Sequence, residues 1–454
     1  MAYISFDPFR QIKTGTYDTD SDSQLRDKIL RTHDAWTRWR NSDMERRVSL
    51  LLRLADVLSE ERDTHAANMV TEMGKPVKQA LAEVDKCALL CRYYATNTAG
   101  FSARDIRDSG ARRSYVSLDP QGIVFGIMPW NFPYWQVFRF LVPALAGGNG
   151  AILKHASNVT ACAMAIEAAV LRAGLPESLF TVIYPSHSMI ESVISMPEIR
   201  GVTLTGSNEA GSRVASLSGR YLKKCVLELG GSDPFIVFPG ADLVKATDDA
   251  VIGRFQNCGQ SCIAAKRFIV HESVYDDFTE LFVGKIADIK IGDPRDPGVF
   301  MGPLVSNEAA DEISRQVDET IEMGAELVTG GRSGVQGPAF YYPTVLGNIP
   351  PGSPASTEEM FGPVASMYRF TTTEEAVSMA NNSRFGLGSS LWTDDVDLAE
   401  RVASQLDTGA VAVNGFMRSD PSLPFGGVKD SGFGRELSCE GFSEFLNIKS
   451  VAFY

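Results

Sequence analysis

The residue best suited to covalent chemistry is Cys262, in Phe255-Gln-Asn-Cys-Gly-Gln-Ser-Cys262. A polar loop containing glycine delivers it to the start of an apolar strand. A thiolate is a strong nucleophile, but an ordinary thiol, with a pKa of about 8.5, needs a site that activates it. Taken alone, a cysteine is more often a packed small residue. Glu228, in Leu227-Glu-Leu-Gly-Gly231, ends an apolar strand just before two glycines. Buried glutamate is uncommon unless paired or functional, and a raised pKa turns it into a base; a cap or turn carboxylate fits the same position. Asn131, in Pro129-Trp-Asn-Phe-Pro133, sits in a rigid turn between a strand and a helix. Its amide can cap that turn or donate to a developing oxyanion. Leu204-Thr-Gly-Ser207, followed by Gly211, runs a strand into a turn that opens a helix. That geometry suits a phosphate, although the glycine spacing of the common dinucleotide fingerprint is absent.

These segments need a scaffold that brings them together. The first hundred residues read as helices: 22–40, 45–73 with a stop at Gly74-Lys75-Pro76, and 77–99 all carry apolar residues at helical spacing. From about 114 the pattern changes to strand–helix alternation. Apolar runs at 122–128, 150–154, 180–184 and 201–205 are separated by helical stretches. A second series follows, with strands in PFIVF, KRFIVH, VASMYRF, SSLWT and GAVAVN. Such alternation predicts parallel sheets covered by helices, in two doubly wound α/β domains. The chain ends in EFLNIKSVAFY, an apolar strand that is a liability if left bare, so a homo-oligomer is expected.

Composition narrows the function classes. The 454 residues allow several cores. Lys and Arg number 43 against 56 Asp and Glu, a net charge of −13 with no basic face, which argues against a nucleic-acid partner. Seven cysteines, an odd and sparse set, suggest a reducing compartment. With five histidines, none at metal-ligand spacing, no metal site is expected. Cys258, four residues before Cys262, reads as a packed loop thiol. The N-terminus lacks the pattern of a signal peptide, and no apolar run is long enough for a membrane span. The expected location is the cytoplasm.

Together with Glu358-Glu-Met-Phe-Gly-Pro363 and Pro424-Phe-Gly-Gly427, the four segments resemble the aldehyde dehydrogenase superfamily, with motif order and gaps matching along nearly the whole chain. The resemblance implies an aldehyde dehydrogenase-like α/β fold. Residues 1–101 and 120–229 correspond to the dinucleotide-binding domain, and 230–429 to the catalytic domain. Residues 102–119 and 440–454 correspond to a small β oligomerisation arm of a homodimer or homotetramer. It implies oxidation of an aldehyde to an acid through a thiohemiacetal and a thioester on Cys262. Asn131 and the Cys262 backbone N–H then form the oxyanion hole, and Glu228 activates water. Lys154, Gly206, Ser207, Glu359, Phe361, Trp130 and Met128 match cofactor-site positions. Ser157 stands where many NAD-preferring relatives carry a glutamate, so NADP is expected ahead of NAD. The chain is similar to the shorter bacterial succinate-semialdehyde dehydrogenases: Arg139 and Ser419 match residues that hold the substrate carboxylate. Two positions depart from that branch. A second arginine of some members is Gln256 here, with Arg418 a candidate replacement, and a cysteine found in some relatives is Ala264. Glutarate semialdehyde or a simple aliphatic aldehyde, and a non-catalytic protein on the same fold, are the alternatives.

Overall fold

The computed structural model describes residues 2–334 and 336–454. Helices Asp22–Trp39, Met44–Glu60, Arg62–Met73 and Val77–Phe101 occupy most of the first hundred residues. Ser21 and Gln24 form a reciprocal cap on the first of them. Gly74, at φ 72°, ends the third in the left-handed conformation that glycine adopts freely. Ahead of these helices, Ala2–Asp7 and Ile12–Asp18 pair as an antiparallel hairpin that the helical reading misses. The reason is an inverted polarity pattern. The inward side chains are Tyr3, Ser5 and Asp7, while Ile4 is 48% exposed, so the usual apolar alternation points the wrong way.

The first large sheet has six strands in the order Gly432–Phe433, Lys224–Glu228, Ile199–Thr205, Ile123–Met128, Gly150–His155, Phe180–Val182. The five inner-sequence strands run parallel, and the 432–433 edge is antiparallel. Chain direction across the sheet reverses between 123–128 and 199–205. In doubly wound sheets a ligand crevice opens at that reversal, beyond the carboxyl ends of the strands. The turns Pro129–Asn131 and Gly206–Ser207 lie there side by side.

The second sheet has seven strands in the order Glu326–Thr329, Thr344–Gly347, Val364–Phe370, Ala265–His271, Asp233–Val237, Gly388–Trp392, Ala410–Val413. All are parallel except 326–329. The segments that precede its neighbouring strands at 233, 265 and 364 carry Gly230–Gly231, Cys262 and Glu359–Phe361. The amino ends of these strands therefore face the site, whereas the first sheet presents its carboxyl ends.

The C-terminal strand Leu446–Phe453 pairs along its whole length with Arg113–Pro120, which also pairs with Asp105–Ile106. One edge of the tail is thus covered by its own chain rather than by another subunit. Among the described residues no helix is long and apolar enough to cross a membrane.

Candidate active site

Cys262 lies half-buried in the turn between the short helix Gln256–Gly259 and the strand Ala265–His271. Its side of the protein holds two cavities, and it lines both. One, of about 230 Å³, is bounded by Trp130, Asn131, Thr205–Ser207, Gly230, Glu359 and Phe361. The other, of about 170 Å³, is bounded by Lys86, Trp135, Arg139, Gln256, Ser419 and Phe425 among others. Gln136 joins Cys262 in both walls.

Close packing fixes the nucleophile loop. A Cβ on Gly231 would stand 2.4 Å from the Cys262 carbonyl oxygen, so glycine is required where the Glu228 segment passes beneath it. Lys266 Nζ donates to the carbonyls of Ser261 at 2.8 Å and Cys262 at 2.9 Å, and stands 3.2 Å from Glu359 Oε1. Sequence reasoning missed Lys266. Its signal is the adjacent charged pair Lys266-Arg267 at the start of the apolar run FIV, where burial demands partners. Burial pushes the Cys262 thiol up to about 12, with Arg139 the leading opposing influence. The resting thiol is therefore protonated at neutral pH. Cys258 is buried in the core with its sulfur 3.2 Å from the Gly302 carbonyl oxygen.

Asn131 is buried, and its side chain is held at both ends. Nδ2 donates to the Gln260 carbonyl at 3.0 Å, and Oδ1 accepts from Gln136 Nε2 at 3.0 Å. The second N–H of that amide is left for the cavity it lines. Gln136 was not singled out from sequence. It sits on Trp135–Ala146, a helix buried on every side, where a polar residue stands out against eight apolar neighbours or more.

Glu228 is the last residue of its strand and only 1% exposed, yet among the described residues neither carboxylate oxygen has a hydrogen-bond partner. It lines neither cavity. Burial raises its pKa well above the ordinary value, and repulsion from Glu436 adds to this, against Arg139 and Arg435. Gly426 packs so closely that a Cβ there would stand 2.7 Å from the Gly434 carbonyl oxygen and 2.9 Å from Glu228 Oε1, so glycine is needed at this position of the turn. Arg139 is buried with its Nε 2.7 Å from Glu436 Oε2 and its guanidinium over the Phe425 ring. It faces the second cavity and the acid pair together. Glu436, in Gly434-Arg-Glu-Leu437, carried no sequence signal of its own.

The positions matched to a cofactor divide in two. Trp130, Gly206, Ser207, Glu359 and Phe361 line the larger cavity, with Trp130 edge-on to Phe361. Ser207 caps the helix Asn208–Arg220, whose N-terminus suits an anion. Lys154 and exposed Ser157 lie farther along the same sheet, at the end of Gly150–His155 and the start of a short helix. Lys154 forms no ion pair among the described residues; its Nζ is 6.0 Å from the Tyr3 ring centre. Met128 departs from expectation: its side chain is buried in the core and lines neither cavity. The residues present fit a dinucleotide. Backbone donors at a helix N-terminus, an aromatic wall and a lysine without an ion-pair partner among the described residues lie at the carboxyl ends of neighbouring inner strands of one sheet.

The sequence profile of the aldehyde dehydrogenase family matches residues 2–451. The chain is 44% identical over 439 residues to "Succinate-semialdehyde dehydrogenase [NADP(+)] 1" of Mycobacterium tuberculosis, covering 96% of each chain. It is 45% identical to "Succinate-semialdehyde dehydrogenase [NADP(+)]" of Mycobacterium avium, covering 96% of this chain and 93% of that one. Among solved structures, the succinic semialdehyde dehydrogenase of Streptococcus pyogenes in complex with NADP+ superposes with a TM-score of 0.97 at 36% identity, covering 100% of each chain. This chain belongs to the aldehyde dehydrogenase family.

Proposed function

We propose that this enzyme oxidises succinate semialdehyde to succinate with NADP, through a covalent intermediate on Cys262. The observation that carries the reading is the shared wall: one thiol opens on a cavity lined by dinucleotide-type residues and on another lined by cations. The second cavity, of about 170 Å³ and lined by Lys86 and Arg139, has room for a short-chain aldehyde that ends in an anion. The similarity to NADP-dependent succinate-semialdehyde dehydrogenases supports both substrate and cofactor.

In the proposed mechanism, the Cys262 thiol gives its proton to the Glu228 carboxylate as its sulfur attacks the aldehyde carbon, forming a thiohemiacetal oxyanion. The Asn131 amide and the Cys262 backbone N–H steady the oxyanion. When bound, the nicotinamide supplies the hydride acceptor that leaves a thioester on Cys262. Lys154, Ser157, Ser207 and Glu359 hold that cofactor, and Ser157 leaves room for a 2′-phosphate without a repelling charge. Once its proton has passed to solvent, Glu228 turns from the acid pair toward the thioester and takes a proton from the attacking water, whose oxygen bonds to the acyl carbon as the C–S bond breaks and the Cys262 thiolate leaves. Arg139 and Ser419 hold the substrate carboxylate. The division of labour is 1–101 with 120–229 for the cofactor, 230–429 for the nucleophile, and 102–119 with 440–454 for a homodimeric or homotetrameric contact. The cytoplasm is the proposed location.

The test is a kinetic matrix of succinate semialdehyde, glutarate semialdehyde and butanal against NADP and NAD. The highest kcat/KM is expected for succinate semialdehyde with NADP. A preference for butanal, or for NAD, overturns the corresponding half of the proposal.

A further inference from the structure

The helix Val77–Phe101 sends Gln79, Ala82, Glu83 and Lys86 toward the second cavity from one face, at spacings of three and four residues. Glu83 is already used. It pairs with Lys75, and its Oε1 accepts from the backbone N–H groups of Tyr134 and Trp135, both at 2.9 Å. Lys86 is different. Its ammonium lies 4.1 Å from the Trp135 ring centre and donates to Ser419 Oγ at 2.8 Å, but no carboxylate lies within ion-pair distance among the described residues. Ser419 Oγ also accepts from Trp135 Nε1 at 2.9 Å, so its own proton is free for a further acceptor.

The other buried cation of the cavity is committed. Arg139 stands 2.7 Å from Glu436 Oε2, so much of its charge is met within the protein. Gln256 supplies an uncharged amide, and Arg418 lies exposed at the cavity wall. A half-buried ammonium without a counter-ion is costly unless an anion completes it. Building on the substrate reading above, we infer that Lys86, together with the Ser419 hydroxyl, is a second cationic anchor for the substrate carboxylate beside Arg139, supplying the charge absent at Gln256. The ammonium keeps two N–H groups for the carboxylate after its bond to Ser419, and the hydroxyl adds a third donor.

The groups facing Lys86 are Arg139 from the neighbouring helix, Glu83 and Cys87 on its own, and Asp420 beside Ser419. Burial, followed by Arg139, lowers its pKa to about 8. The anchor therefore loses its charge as pH rises through about 8, whereas an arginine there would not.

The experiment measures kcat/KM for succinate semialdehyde relative to butanal, which has the same carbon chain without the carboxylate, in wild type, K86M, K86Q and K86R. Butanal turnover in each preparation reports folded enzyme. The preference for succinate semialdehyde is expected to fall about tenfold or more in K86M and K86Q, through KM, equivalent to about 1.4 kcal/mol or more. K86R is expected to restore most of it. The wild-type preference should also decline above pH 8, and that of K86R should not. A wild-type preference that survives in K86M and K86Q overturns the role of Lys86 while leaving the substrate reading intact. A wild type with no preference overturns the substrate reading itself, and the anchor with it.

Discussion

Two buried acid–base clusters meet the segment that carries Asn131 and Arg139, and they are built in opposite ways. In the first, Lys75 and Glu83 form an ion pair, and Glu83 also accepts two backbone N–H groups at the start of the helix Trp135–Ala146. One positive and one negative charge match, and the carboxylate is used as a helix cap. In the second, Glu436 pairs with the Arg139 guanidinium, while neither oxygen of neighbouring Glu228 has a hydrogen-bond partner among the described residues. A satisfied buried pair holds structure in place. An unsatisfied one keeps an acid at raised pKa, ready to exchange a proton. The same helix therefore receives its position from one cluster and offers its chemistry to the other.

The contrast is most sharply broken by E228Q. Loss of the base should lower kcat about 100-fold or more, and an acyl-enzyme should accumulate, visible as a burst of NADPH followed by slow turnover. A variant that turns over normally would mean that another group activates the water.

E83Q should do its damage in stability instead. It leaves the buried Lys75 ammonium without its partner, a change worth about 3–5 kcal/mol, readable as a lower Tm. The pH dependence separates the clusters further. Because the folded-state pKa of Glu228 is raised, the native protein holds a proton that the unfolded chain has released above about 4.5. Its contribution to stability is full below that pH and is lost as pH rises toward the folded value. In E228Q that loss should disappear, so the Tm of the variant relative to wild type should improve with rising pH. A parallel pair of Tm curves would contradict the unsatisfied character of the second cluster.

The smallest expected effect lies farthest from both clusters. S157E places a carboxylate beside the proposed 2′-phosphate position and should lower the ratio of kcat/KM for NADP over NAD by about tenfold. An unchanged ratio removes Ser157 from cofactor selection.

Much of this was legible in the residues themselves. Helical spacing marked the helices from Asp22 to Phe101, because packing one face against a core imposes a periodicity that side chains must follow. Strand–helix alternation marked the two α/β halves for the same reason. Cys262, Glu228, Asn131 and the Gly206–Ser207 turn stood out because reactive or polar groups next to glycine-bearing turns are unusual for packing alone. The N-terminal hairpin was not legible, since its inward face carries Ser5 and Asp7 rather than an apolar row.

Only the tertiary structure decided which groups meet. The carboxyl ends of one sheet face the amino ends of the other, and that juxtaposition joins Ser207 to Cys262 across 55 positions of sequence, and Cys262 to Glu359 across 97. Partner choice for the charges was settled there too: Arg139 with Glu436, Lys266 with Glu359, and Lys86 with Ser419 and the Trp135 ring. Local sequence sets spacing along a helix or strand, whereas the partner of a buried charge can come from an element far away in the chain, as Glu436 does for Arg139.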